Sequence, residues 1–110
     1  MLVLWYYVDM SNDLNEIKEK ISANKDYLRA TYGVEEIGIF GSFARGDNTE
    51  NSDIDIAVEL NDEKVQIGLF GFARMKFFLE DLFGRKVDLV TKNSIKPIIK
   101  DRILNQLIIV

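Results

Sequence analysis

The 110-residue chain contains no cysteine and no histidine, and only one proline and one tryptophan. Without cysteine there can be no disulfide, a composition that fits a reducing, cytoplasmic setting. Without either residue, any bound cation must be held by oxygen, which argues against zinc and favours Mg²⁺ or Mn²⁺. Excess positive charge is also missing: 14 Lys and Arg stand against 18 Asp and Glu, a formal net charge of -4. Such a chain offers no broad field to a phosphodiester backbone, so nucleic acid is not expected as its main partner. Long hydrophobic runs are absent as well. The apolar opening, residues 1–8, falls far short of the roughly 20 residues of a membrane-spanning helix, and it lacks the basic flank and cleavage site of a signal peptide. No membrane association is expected. The opening reads as an extra edge strand, as an upstream extension before a start at Met10, or as apolar surface for a partner. The length predicts one domain over residues 10–110, residues 1–9 being extension or edge strand, with no room for a separate acceptor-binding domain.

What is present centres on Gly41-Ser42-Phe43-Ala44-Arg45-Gly46, followed after a polar loop by Ser52-Asp53-Ile54-Asp55. Glu36-Ile37-Gly38-Ile39-Phe40 reads as a buried strand that runs into Gly41-Ser42. Gly41 lacks a Cβ and admits close approach to its backbone, while Ser42 brings a hydroxyl and the first free N–H groups of any helix that follows. That combination suits a phosphate. A strand over residues 53–59 would turn Ile54, Ile56 and Val58 to one face and Asp53, Asp55 and Ala57 to the other. Two carboxylates side by side raise each other's pKa unless a cation lies between them.

The remaining segments read as support. Residues 11–32 place Leu14, Ile17, Ile21, Leu28 and Tyr32 at helical spacing, with Asn24 in the stripe, Asp13 and Glu16 at the start and Gly33 as the stop. A second helix lies within residues 64–83 and is most regular over 72–82, because Gly68 and Gly71 each cost about 1 kcal/mol in a helix interior. Its apolar surface exceeds one stripe. Leu69, Phe72, Met75, Leu79 and Leu82 are expected in the core, and Phe70, Phe77 and Phe78 at an interface. Residues 86–91 read as a third strand with Asp88 at its centre, where burial would demand a salt bridge to Arg45 or Lys86, or a metal. Asn93 or Ser94 is expected to cap a last helix with Pro97 in its first turn. Residues 107–110 form an apolar strand or tail set against the sheet or against another chain.

The ordered set Gly41-Ser42-x-x-Arg45-Gly46, Ser52-Asp53-x-Asp55 and Lys86-Val87-Asp88-Leu89-Val90 resembles the signature of the polymerase-β-type nucleotidyltransferase superfamily, in its minimal nucleotidyltransferase (MNT) branch. The resemblance covers the chain from about Ile17 to its end. It implies an α/β (α+β) nucleotidyltransferase fold, a small mixed β-sheet of three to four strands flanked by helices. It also implies ATP as substrate, with phosphates against Gly41, Ser42, Arg45, Gly46 and Ser52. Asp53 and Asp55 would bridge two Mg²⁺ ions, and Asp88 would be the third catalytic, metal-holding carboxylate. Arg45 either contacts phosphate or ties the turn to an acid, and Ser52 caps or orients. Small members of this family resemble the antitoxin half of a two-gene module, which implies AMP transfer to a tyrosine hydroxyl of an all-helical HEPN toxin. The competing reading is a nucleotide-binding antitoxin that neutralises its partner by complex formation alone. Transfer to a small molecule is disfavoured by the missing second domain. A homo-oligomer and a hetero-oligomer both remain open.

Overall fold

A computed structural model describes residues 13–110, so the expected extension or edge strand at residues 1–9 lies outside the described residues. Helix α1 (Asp13–Tyr32) buries Ile17, Ile21, Leu28 and Tyr32 on one stripe, the 3.6-residue pattern visible in the sequence. Asn24, within that stripe, donates to the Lys20 carbonyl at 2.8 Å. Gly33 ends the helix at φ +72, and its N–H donates to the Arg29 carbonyl at 3.0 Å. A left-handed stop of this kind suits glycine.

Strand β1 (Val34–Phe40) leads into the short helix α2 (Gly41–Arg45), and β2 (Ile54–Leu60) follows after the polar loop. Helix α3 (Gly68–Phe83) then crosses to β3 (Val87–Thr91), a 3₁₀ turn spans Lys92–Ser94, and α4 (Pro97–Gln106) precedes β4 (Ile108–Ile109). The sheet order is β3-β2-β1-β4. β1 pairs antiparallel with β2 and with β4, while β2 and β3 are parallel. The parallel pair needs a crossover, and α3 supplies it. This is the small mixed sheet with flanking helices that the sequence led us to expect.

Pairing puts Ile39, Ile56 and Leu89 in one row and Ile54 and Val87 in another. All five are buried, together with Met75 and Leu79 of α3 and Ile21 and Leu28 of α1. The opposite sheet face carries Gly38, Ala57 and Val90 in one row and Phe40, Asp55 and Asp88 in the next. Part of it is covered by the C-terminal segment, since a Cβ at Gly38 would lie 2.7 Å from the Leu107 side chain. The chain end is therefore set on the sheet, where the Val110 N–H donates to the Ile37 carbonyl at 3.0 Å.

Several local expectations are corrected. α3 begins at Gly68, which leaves Leu69 in the first turn 81% exposed instead of buried. Phe70 and Phe77 are exposed as expected, but Phe78 packs against Tyr27 of α1 with ring centroids 4.9 Å apart and belongs to the rim of the core. Lys96, not Asn93 or Ser94, stands at the start of α4, without a side-chain cap. Ser94 instead donates to the Thr91 carbonyl within the 3₁₀ turn.

Candidate active site at the end of strand β1

β1 delivers the chain into Gly41 at φ +72. This residue must be glycine for two reasons. The backbone is left-handed there, and a Cβ would collide with the Asp55 carboxylate, whose Cγ would lie only 2.8 Å away. Phe40 sits directly opposite Asp55 in the β1–β2 pairing, so the turn leaving β1 passes over that carboxylate. α2 is a single turn with no side-chain cap on its first N–H groups. It closes at Gly46, φ +85, where the Gly46 and Asp47 N–H groups both donate to the Ser42 carbonyl at 2.9 and 3.1 Å.

The acids converge from two strands. Asp53 immediately precedes β2 and is exposed, Asp55 is half-buried one residue into it, and Asp88 lies directly opposite Asp55 on β3. Asp88 is exposed, on the face of edge strand β3 opposite the one that buries Val87 and Leu89. The expected cost of burying it therefore does not arise. Nor, among the described residues, does it form the alternative ion pair with Arg45 or Lys86; Arg45 pairs with Asp47 at 3.2 Å. Burial pushes the Asp55 carboxyl up from an ordinary 3.8 to about 6, and the Asp88 and Asp53 charges add to the rise while Arg45 opposes it. The Asp55 carboxyl thus feels both neighbouring acids, with one guanidinium as partial counterweight. Among the described residues no three acidic side chains are already gathered into a metal-holding cluster.

Arg45 ties the turn outward. Its Nε donates to Asp47 Oδ2, and its Nη1 donates to Gln106 Oε1 at 3.3 Å, linking α2 to the end of α4. Ser52 is tied into its own loop: its Oγ accepts from the Thr49 N–H at 2.8 Å, and its own N–H donates to the Thr49 carbonyl at 3.1 Å. These bonds fold the loop into a compact turn just before Asp53. Sequence reasoning missed two contributors. Arg85 donates to carbonyls of that turn across 33 to 36 residues of chain. Glu80 accepts from the Val87 N–H at 3.1 Å and anchors the start of β3 to α3.

The family model of the nucleotidyltransferase domain matches residues 11–110. The chain belongs to that family. This nucleotidyltransferase is 41% identical over 97 residues to the protein adenylyltransferase MntA of Thermococcus cleftensis, covering 88% of this chain and 95% of that one. A Methanocaldococcus jannaschii protein, named as a candidate protein adenylyltransferase, is 45% identical over 94 residues, 86% of this chain and 94% of its own. Among solved structures, one described as a minimal nucleotidyltransferase superposes with a TM-score of 0.71 at 32% identity, covering 86% of this chain and 93% of that one. A toxin–antitoxin complex with AMP-PNP shares the fold, with a TM-score of 0.62 at 24% identity over 87% of this chain and 70% of that one. Among the described residues no helix of this nucleotidyltransferase is long and apolar enough to cross a membrane.

Proposed function

We propose that the chain transfers AMP from ATP to a hydroxyl of a partner toxin, a tyrosine of a HEPN-type helical protein, and so acts as its antitoxin. The observation that carries this reading is the row in which Asp55 faces Asp88 directly beneath the Gly41 backbone. It sets a carboxylate pair against a turn with uncapped N–H groups. The protein adenylyltransferase names of relatives at 41% and 45% identity support the nature of the transferred group.

The donor set fits a hard divalent cation. Asp53, Asp55 and Asp88 offer oxygen alone, and the Asp55 carboxyl is pushed up by burial first and then by the Asp88 and Asp53 charges, which a cation would relieve. These three residues would hold Mg²⁺ or Mn²⁺. When bound, the metal lowers the pKa of the attacking hydroxyl and offsets charge on the departing pyrophosphate.

The chain's own groups do the rest. The first-turn N–H groups of α2, with Ser42 and the glycines at 41 and 46, receive the β- and γ-phosphates. Arg45 adds positive charge beside them. The acceptor oxygen bonds to the α-phosphorus, the bond from that phosphorus to the bridging β-phosphate oxygen breaks, and pyrophosphate leaves. Asp88, exposed on the edge strand, takes the hydroxyl proton. Positioning and fixed charge supply most of the acceleration, and no histidine base is needed. Phe70 and Phe77, 82% and 61% exposed on α3, supply apolar surface to the partner.

Exchange of both Asp53 and Asp55 for Asn tests this reading. Loss of toxin neutralisation with the complex intact supports transfer. Retained neutralisation supports the alternative, an antitoxin that binds nucleotide and silences its partner by occupancy.

A further inference from the structure

We propose that Arg85 is a positioning residue for the acidic site, one guanidinium that locks the turn at residues 49–52 and thereby fixes Asp53 relative to Asp88. The inference rests on the reading of Asp53, Asp55 and Asp88 as the cation-holding set.

Arg85 lies just ahead of β3, the strand of Asp88, and the turn lies just ahead of Asp53. The parallel register pairs Ile54 with Val87, and the Ile54 N–H donates to the Lys86 carbonyl at 2.9 Å. Arg85 is thereby brought alongside Ser52. From there its Nη1 donates to the carbonyls of Glu50 at 2.9 Å, Ser52 at 3.0 Å and Thr49 at 3.3 Å. Nη1 carries two N–H groups, so the longest of the three is a shared bond; its positive charge favours the convergence of three carbonyl dipoles, and charge-assisted bonds of this kind are about twice as strong as neutral ones. The same guanidinium lies over the Phe43 ring, 5.2 Å from its centroid. Phe43 is the buried anchor of α2. One side chain therefore joins the phosphate turn, the loop before the first carboxylate and the strand of the third.

Among the described residues, no other side chain hydrogen-bonds residues 49–52 from outside the loop. Its internal bonds are the short Thr49–Ser52 pair and a 3.3 Å bond from the Asn51 N–H to Thr49 Oγ1. Those bonds close the turn upon itself without attaching it to the sheet. Arg85 attaches it. Asp53 is the exposed residue between this turn and β2, so freedom in the turn becomes freedom in its carboxylate.

The test compares the wild-type protein with Arg85→Met, which keeps a stem over Phe43 and removes the charge, and with Arg85→Lys, which restores charge without the planar fork. Two quantities are read: Mn²⁺ affinity, by titration of the free ion, and hydrogen exchange of the Thr49 and Ser52 amides. Thermal unfolding monitors the fold. The expected result for Arg85→Met is a loss in Mn²⁺ affinity of roughly tenfold, with several-fold faster exchange at both amides. Arg85→Lys should recover most of each. Unchanged affinity in a folded Arg85→Met overturns the proposal, whether or not exchange accelerates. Should that variant not fold, Arg85→Gln replaces it with the same expected losses. If the wild-type protein binds no Mn²⁺, the reading of the acidic site fails. Exchange then decides the clamp by itself: faster exchange in Arg85→Met sustains it, and unchanged exchange overturns it.

Discussion

Asp55 and Asp88 stand directly opposite each other across the parallel β2–β3 pair, on the sheet face turned away from the main core. Residues paired across neighbouring strands point to the same side. The register alone therefore brings together two carboxylates separated by 33 positions in the sequence, and Asp53, two residues before Asp55, falls on the same side. This relation, and the passage of Gly41 over Asp55, make the site a consequence of strand order.

Gly41 and Gly46 provide an internal comparison, since both have positive φ. Alanine at either position costs about 1–2 kcal/mol for the left-handed backbone. A Cβ at Gly46 meets nothing within 4 Å, whereas one at Gly41 strikes the Asp55 carboxylate. Gly46→Ala, which adds no collision, should lower the unfolding temperature and reduce the transfer rate per folded molecule far less than Gly41→Ala does. Gly41→Ala should abolish transfer even where it remains folded, and kinetics at a temperature where both variants are folded separates the two effects.

Asp55 predicts a pH signature in metal-free protein. Its folded pKa, about 6, lies above the ordinary 3.8, so the folded state binds this proton more tightly than the unfolded chain does. Its favourable contribution is complete below about pH 4 and is lost as pH rises through 6. In chelator, the unfolding temperature of the wild-type protein relative to Asp55→Asn should fall between pH 4 and pH 7. Added Mg²⁺ should offset that fall at pH 7. A pH-independent difference between the two proteins would rule out this assignment.

The donor chemistry predicts which cations serve. Chelation should eliminate transfer, and Mg²⁺ or Mn²⁺ should restore it, because the site offers carboxylates alone and suits hard cations. Asp88→Asn should reduce the rate by at least about tenfold with the unfolding temperature little changed, since Asp88 is exposed on an edge strand. Rate and unfolding temperature measured on the same preparation check this.

On α3 the contrast is between faces. Leu79 is fully buried, and Leu79→Ala should cost about 2–5 kcal/mol. Phe70→Ser and Phe77→Ser should each change stability by less than about 0.5 kcal/mol and weaken the partner complex. Chemical denaturation and a binding titration read the two effects apart.

Much of this arrangement was legible in the sequence. The strand leading to Gly41, the amphipathic stripe of α1, the stop at Gly33 and the alternation through Asp55 are local patterns, and local patterns survive in a single chain. What was hidden depends on strand order and distant partners. Asp88 was expected to be buried because the sequence cannot say that its face of β3 is left uncovered. Leu69 was assigned to the core because helical periodicity does not reveal that the first turn of α3 is left exposed. Arg85 left no trace at all: its partners are backbone carbonyls, which every residue has, and only the parallel register brings them within reach. The turn after β1 was legible for the opposite reason, since its requirement for glycine at 41 is written in the residue itself.

The most direct test is the intact mass of the partner toxin after incubation with this protein, ATP and Mg²⁺. The account predicts a gain of one AMP at a tyrosine, absent with Asp53→Asn. An unchanged toxin mass in a stable complex, with every nucleoside triphosphate tried, would contradict it and leave neutralisation to binding alone.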